Sequence, residues 1–143
     1  MKTAKVFILF LSLFFIQKSF AQNAENWTSK QLMEPAALAS TLSSAKNIPY
    51  IYSVGPGAII PHSVEIGMTN NADNISKFKE QLKGLDKNAS IVVYCGCCPF
   101  EHCPNVRPAI DALKEMKFTN YKLLNLPHNI KTDWISKGYP TIK

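Results

Sequence analysis

Arginine is nearly absent from this sequence of 143 residues, in which Arg107 is the only one. The lysines are scattered, and a chain without a basic patch gives little support for nucleic-acid binding. Cysteine is confined to one stretch of nine residues, which excludes a disulfide framework that closes large loops. Repeats, low-complexity tracts and long charge runs are also missing. The length and the 46% hydrophobic content fit one compact globular domain.

Long apolar runs are scarce as well. The run from Val6 to Ile16 has eleven residues, whereas a membrane-spanning helix needs roughly 20. Lys2 and Lys5 precede this run, and small residues follow it at the two positions that a signal peptidase inspects. We therefore predict a secretory signal peptide over residues 1–21, with Gln22 as the first residue of the mature protein. An uncleaved membrane anchor is the alternative.

Cleavage of this segment changes both the charge and the setting of the protein. Three lysines leave with it, so that 13 basic and 10 acidic residues remain, a net charge of +3. We expect a periplasmic or secreted protein that has no membrane segment after cleavage and binds no nucleic acid. In such an oxidising compartment, clustered thiols tend to oxidise or to bind metal unless they are kept reduced.

Helical and extended segments alternate along the mature chain, which predicts an α/β sheet with helices on both faces. We place one domain at residues 30–143, with a central, mostly parallel sheet between two helical layers. The segment SIVVY at residues 90–94 is apolar enough to be a central strand buried on both faces. The other predicted strands cover residues 48–54, 58–67 and 121–124, and the predicted helices cover about 35–43, 74–83, 106–117 and 129–137.

The four cysteines, Cys95, Cys97, Cys98 and Cys103, lie in the loop after the central strand. In open parallel sheets, ligands bind beyond the carboxyl ends of the strands. The N-terminus of the following helix carries a partial positive charge that favours a thiolate. We predict that Asn105 caps this helix. A thiol held there should have a lowered pKa and be nucleophilic, which indicates Cys95.

With this loop in place, the sequence resembles the rhodanese (thiosulfate sulfurtransferase) domain family. IVVYC resembles the strand that leads into the active-site cysteine, and ALKEMKF resembles the helix after it. The stretch NYKLLNLPHNIKTDWISKGYP resembles the closing segment, with its Trp and a Gly-x-Pro ending. Upstream, IPHSVEIG and EPAALASTL resemble a turn and the opening helix. The likeness covers roughly residues 32–140 and implies a rhodanese-like three-layer α/β fold.

The resemblance also implies a chemistry. Cys95 would be the nucleophile that takes up a sulfane sulfur as a persulfide and passes it to a thiol or to cyanide. Arg107 would help to bind a small sulfur-containing anion such as thiosulfate. Phosphatase and arsenate-reductase relatives need an Arg six positions after the cysteine, and no cysteine here has one.

The other cysteines leave further uses of the loop open. Export favours a disulfide, for which Cys103 paired with Cys97 or Cys98 is preferred to the strained adjacent pair. Cys95 and Cys98 also form a C-x-x-C pair, so a thiol–disulfide redox protein with Cys103 as the resolving thiol is an alternative. His102 is an accessory candidate that could assist proton transfer.

A non-catalytic module that binds metal or a partner is the remaining alternative. Cys95, Cys97, Cys98 and Cys103, with His102 beside them, are suitable ligands for Zn²⁺, Cu⁺ or an iron–sulfur cluster. The spacing differs from the two separated C-x-x-C pairs of a structural zinc site. We therefore expect no cofactor and no resident metal.

Overall fold

A computed structural model of the protein describes residues 27–142. The predicted signal peptide, residues 1–21, lies outside the described part. The strands are β1 (Leu32–Met33), β2 (Tyr50–Ser53), β3 (Ser63–Glu65), β4 (Ile91–Tyr94) and β5 (Tyr121–Leu124). The helices are α1 (Pro35–Ser44), α2 (Ala72–Leu82), α3 (Val106–Glu115) and α4 (Ile130–Asp133), with short 3-10 turns at Phe100–His102 and Ile135–Lys137.

The five strands form one sheet in the order β1-β5-β4-β2-β3. All neighbouring strands are parallel. β4 lies in the centre, where Tyr94 pairs with Ser53 of β2 and Ile91 pairs with Tyr121 of β5. The chain therefore leaves the sheet after Tyr94 at the middle of its carboxyl edge, where a parallel sheet binds its ligands.

Helices cover both faces of the sheet, as the sequence predicts. Along β4, Ile91 and Val93 pack into a core with α2 and α3. Val92 and Tyr94 pack into a second core, on the other face, with α1 and Trp134. Because side chains alternate across a strand, an unbroken apolar run can fill both cores. The arrangement is the predicted three-layer α/β fold.

Hydrogen bonds of two side chains explain where the helices differ from prediction. α2 begins before the expected residue 74 because the Asn71 side chain accepts hydrogen bonds from the N–H groups of Asp73 and Asn74 at 2.8 and 3.4 Å. The final predicted helix, residues 129–137, is instead two short pieces. Trp134 separates them because it leaves helical geometry, with its buried indole Nε1 donating to the Pro140 carbonyl at 2.7 Å.

The strands also differ from prediction in two places. β1 was not predicted, since two half-buried residues at the sheet edge give no periodic signal. The extended piece at 58–67 shortens to β3, which contains three residues. No helix among residues 27–142 is long and apolar enough to cross a membrane.

Candidate functional site

The candidate site begins at Cys95, the first residue after the central strand β4. Its side chain is 2% exposed and belongs to the core between the sheet and α3. The loop that follows is tied to other elements of the fold. The Gly96 carbonyl accepts from the Ile130 N–H at 2.9 Å, and the Phe100 N–H donates to the Leu126 carbonyl at 3.2 Å. Phe100 is buried, so its ring anchors the outer part of the loop.

This path of the loop brings all four cysteines together. Their sulfur atoms lie within 4.8 Å of one another. The Sγ atoms of Cys95 and Cys97 are 3.4 Å apart, and those of Cys97 and Cys98 are 3.3 Å apart. All four are free thiols. Cys95 and Cys103 are buried, whereas Cys97 is exposed and Cys98 is half-buried, so the cluster reaches from the core to solvent.

Asn105 occupies the N-cap position of α3, as predicted, but its side chain does not cap the helix, which corrects the role predicted from sequence. Its backbone is already helical, with φ −87° and ψ −28°, and its side chain makes no capping hydrogen bond. The amide Nδ2 instead donates to Cys95 Sγ at 3.6 Å, while Oδ1 accepts from the Asn70 N–H at 3.1 Å. The Thr69 hydroxyl donates to the Asn105 carbonyl. Asn105 is thus clamped from the β3–α2 connection and aims a donor at the Cys95 sulfur.

Gly55 makes room for the Cys95 sulfur. A Cβ atom at this position would lie 2.5 Å from Cys95 Sγ. Gly55 follows β2, the neighbour of β4 in the sheet. The turn that contains it is fixed by the buried Ser53, whose hydroxyl donates to the Gly57 carbonyl at 2.6 Å. The absence of a side chain at Gly55 therefore sets where the Cys95 sulfur sits.

Hydrogen bonds lower the pKa of Cys95 to about 5. The largest cause is the hydrogen bond from the Cys103 thiol; burial opposes it by raising the pKa. The backbone N–H of Cys97, the Asn105 amide and the Cys97 thiol lower the pKa further. Because these groups favour the charged form, Cys95 is a thiolate at neutral pH when the four cysteines are reduced.

Burial and hydrogen bonds to neighbouring sulfurs move the pKa values of Cys97 and Cys103 the opposite way, upward. Burial, followed by hydrogen bonds to Cys98 and Cys95, raises the pKa of Cys97 to about 12. The hydrogen bond to Cys95, followed by burial, raises the pKa of Cys103. One negative charge is thus concentrated on the Cys95 sulfur, and the protonated thiols around it stabilise that charge.

The other predicted site residues belong to the 3-10 turn of the same loop and to the helix that follows it. The Arg107 guanidinium carbon is 5.6 Å from the centroid of the Trp27 ring, a cation–π contact. Arg107 is half-buried in the first turn of α3, while His102 is exposed in the 3-10 turn. The structure thus brings the four cysteines together and gives Arg107 an aromatic support.

No protein-family model and no curated protein matches the sequence. A rhodanese-related protein from Thermoplasma volcanium matches the structure with a TM-score of 0.52 and 19% identity, covering 78% of this chain and 97% of that one. The fold is rhodanese-like. A structure of an EanB variant with hercynine matches with a TM-score of 0.55 and 17% identity, covering 79% of this chain. This chain spans 27% of that EanB chain.

The roles of two residues of the candidate site were missed in the sequence. From the sequence, Asn105 is predicted to cap a helix, and Gly55 is given no role in the site. The signal for Gly55 was present, because parallel neighbours β2 and β4 end at the same edge of the sheet. The role of Asn105 gave no such signal, since its side chain is oriented by Asn70, which is distant in sequence.

Proposed function

We propose that this protein is a sulfurtransferase in which Cys95 carries a sulfane sulfur as a persulfide. One observation carries the proposal: in a rhodanese-like fold, Cys95 stands at the carboxyl end of the central strand among hydrogen-bond donors. The thiols of Cys103 and Cys97, one backbone N–H and the Asn105 amide supply these donors. They would stabilise both the thiolate and the anionic persulfide.

The reaction would take two displacements. In the first, the Cys95 thiolate attacks the outer sulfur of thiosulfate; a new S–S bond forms, and the old S–S bond breaks with its electron pair leaving on sulfite. In the second, cyanide or an acceptor thiolate attacks the terminal sulfur of the persulfide. Thiocyanate or a new persulfide departs, and the Cys95 thiolate is restored. No external oxidant or reductant is needed.

Arg107 is the residue to which we assign binding of the donor anion. It lies in the first turn of α3, two residues after Asn105, whose amide contacts the Cys95 sulfur. Trp27 supports its side chain from one side. A guanidinium at a helix N-terminus favours the approach of a dianion such as thiosulfate.

Intact mass of the reduced, metal-free protein after incubation with thiosulfate tests the proposal. We expect one added sulfur atom that is lost again with cyanide. Cys95→Ser should abolish this addition, whereas Cys97→Ser and Cys98→Ser should retain at least part of it. If Cys95→Ser keeps wild-type activity and Cys103→Ser loses it, the nucleophile is Cys103 and the assignment is wrong.

A thiol–disulfide redox function is the second candidate. The contact of 3.4 Å between the sulfurs of Cys95 and Cys97 favours it, since a disulfide can form there after a small movement. In a second arm of the mass measurement, oxidised glutathione is the two-electron oxidant, and this function gives a loss of two hydrogen atoms that a reductant reverses, while thiosulfate adds no sulfur. That outcome would replace sulfur transfer as the conclusion.

Export is proposed with the function. The signal-like residues 1–21 support a periplasmic or secreted location. The intact mass of protein purified from its natural host checks this proposal, because cleavage predicts a chain that begins at Gln22.

A further inference from the structure

We propose that Cys95, Cys97, Cys98 and Cys103 form a four-thiolate site for a single thiophilic ion, Zn²⁺ or Cu⁺. Their sulfurs lie within 4.8 Å of one another, with two of the separations at 3.4 and 3.3 Å. Zinc–sulfur bonds of about 2.3 Å in tetrahedral geometry place sulfurs about 3.8 Å apart. Small side-chain rotations thus convert the cluster into a coordination shell. This proposal goes beyond sulfur transfer and does not depend on it.

The loop is organised before any ion arrives. Cys95 is fixed by the end of β4, and the backbone bonds of Gly96 and Phe100 to Ile130 and Leu126 hold the turn that carries the other thiols. The short 3-10 turn then returns the chain, so that the buried Cys103 faces Cys95. Little chain entropy remains to be lost on metal binding, which favours affinity.

Hydrogen bonds from neighbouring residues hold the cysteine ligands in place, as they do in known metal sites. The Asn105 amide donates to the Cys95 sulfur and orients it, and Asn70 holds that amide in turn. Such partners fix the geometry of a metal ligand. The N-terminus of α3 beside the cluster contributes a partial positive charge. It would offset part of the negative charge of four thiolates around one ion.

The chemistry of the donor set selects the class of ion. Sulfur donors prefer soft and borderline ions, which excludes Mg²⁺ and Ca²⁺. An iron–sulfur cluster places sulfides and several irons between its cysteines, so it needs more widely spaced sulfurs than this cluster provides. Cys97 is exposed, and it gives a single ion direct access from solvent.

Metal binding would also control the sulfur site, a consequence that rests on the proposed function. An ion held by all four thiolates occupies the Cys95 sulfur, so ion and persulfide exclude each other. Saturation with the ion should therefore suppress sulfur uptake from thiosulfate, and a chelator should restore it.

The test uses the reduced, metal-free full chain under anaerobic conditions. Co²⁺ should bind one per chain, with the visible bands and sulfur-to-cobalt charge transfer of a tetrahedral thiolate site, and Zn²⁺ should displace it. A second arm measures Cu⁺ against a competing chelator. Retention of either Zn²⁺ or Cu⁺ at one ion per chain supports the proposal and identifies the ion.

Variants at the exposed end of the cluster make the test specific. Cys97→Ser and Cys98→Ser should weaken binding by about 10-fold or more, since even outer contacts of a metal site contribute that much. Glu101→Gln, an exposed carboxylate of the same loop, is the matched control and should bind as the wild type does. Tryptophan fluorescence checks that each variant is folded.

Two results overturn the proposal. One is a wild-type protein that gives no tetrahedral thiolate bands and retains neither ion. The other is binding that is equally tight in the two cysteine variants. The persulfide assay is run without metal, so a failure of sulfur transfer and a failure of metal binding are read independently.

Discussion

Replacement of Gly55 by alanine tests whether the position of the Cys95 sulfur is set by the empty space beside it. The new Cβ would lie 2.5 Å from Sγ, whereas ordinary contacts are about 3.5 to 4.0 Å. The sulfur must therefore move by about 1 Å or rotate to another rotamer. Either change weakens the hydrogen bonds from Cys103, the Cys97 N–H and Asn105 that stabilise the thiolate.

The expected result is a large change in the titration of Cys95. In the metal-free wild type, the rate of Cys95 alkylation by iodoacetamide should be half-maximal near pH 5, because the thiol pKa is lowered to about 5. In Gly55→Ala, this midpoint should move most of the way to the ordinary thiol value of about 8.5. Peptide mapping after alkylation separates Cys95 from the other thiols.

Gly57→Ala is the matched control from the same turn. No atom lies within 4 Å of a Cβ placed there, but φ is +74°, so alanine adds backbone strain of about 1 to 2 kcal/mol. Overpacking at Gly55 has a similar effect on stability, about 1 to 3 kcal/mol. Only Gly55→Ala should shift the alkylation midpoint. A midpoint that stays near 5 in Gly55→Ala, or that moves equally in Gly57→Ala, would refute the reasoning.

Three further predictions, one of them with Trp27→Phe as its control, test other parts of the fold and site. Tyr94→Phe should lower the free energy of unfolding, measured in urea, by about 1 to 3 kcal/mol. The reason is that the Tyr94 hydroxyl accepts hydrogen bonds from two backbone N–H groups at 2.9 and 3.3 Å. An unchanged free energy of unfolding would contradict this. Burial raises the pKa of Asp133, but hydrogen bonds from the side chain and backbone of His128 outweigh it and lower the pKa. The stability that ionised Asp133 contributes is thus present above about pH 4 and lost below it. Asp133→Asn should therefore be less stable than the wild type at pH 7 and should lose less stability on acidification. Parallel profiles of stability against pH would contradict this. Arg107→Ala should raise the KM for thiosulfate about 10-fold, as expected for the loss of a charged hydrogen bond of about 1.5 kcal/mol. Trp27→Phe keeps an aromatic ring and should leave the KM unchanged. An unchanged KM in Arg107→Ala would show that Arg107 does not bind the donor.

The central part of the fold could be predicted from sequence because its signals are local. The apolar run of β4 lies within the predicted 90–94, and β5 matches 121–124. Pro35 marks the start of α1 within one turn. β1 could not be predicted in this way, because it exists only through its pairing with β5, about ninety residues later.

The site was predictable in position but not in detail. The strand-to-helix placement of Cys95 follows from chain order alone. Convergence of the four sulfurs requires that Phe100 be buried and that the loop bond to Leu126. The sequence does not specify these tertiary contacts. Asn105 shows the same limit, since its tendency to cap a helix was overridden by a clamp from Asn70 and a contact with Cys95.

The proposed sulfur chemistry requires cysteines that are reduced and free of metal, because thiols are donors of the hydrogen bonds that stabilise the Cys95 thiolate. Cys103 is the largest cause of the lowered pKa of Cys95, and Cys97 contributes through both its thiol and its backbone N–H. A disulfide or a bound ion would consume the thiol protons that stabilise the Cys95 thiolate, whereas an arginine or a backbone N–H is not lost in this way. Sulfur uptake should therefore follow the reduced, metal-free fraction of the protein. For a protein that is exported, as proposed above, that fraction depends on a reducing partner. Oxidising the cysteines with oxidised glutathione before the persulfide assay should stop sulfur uptake without unfolding the chain.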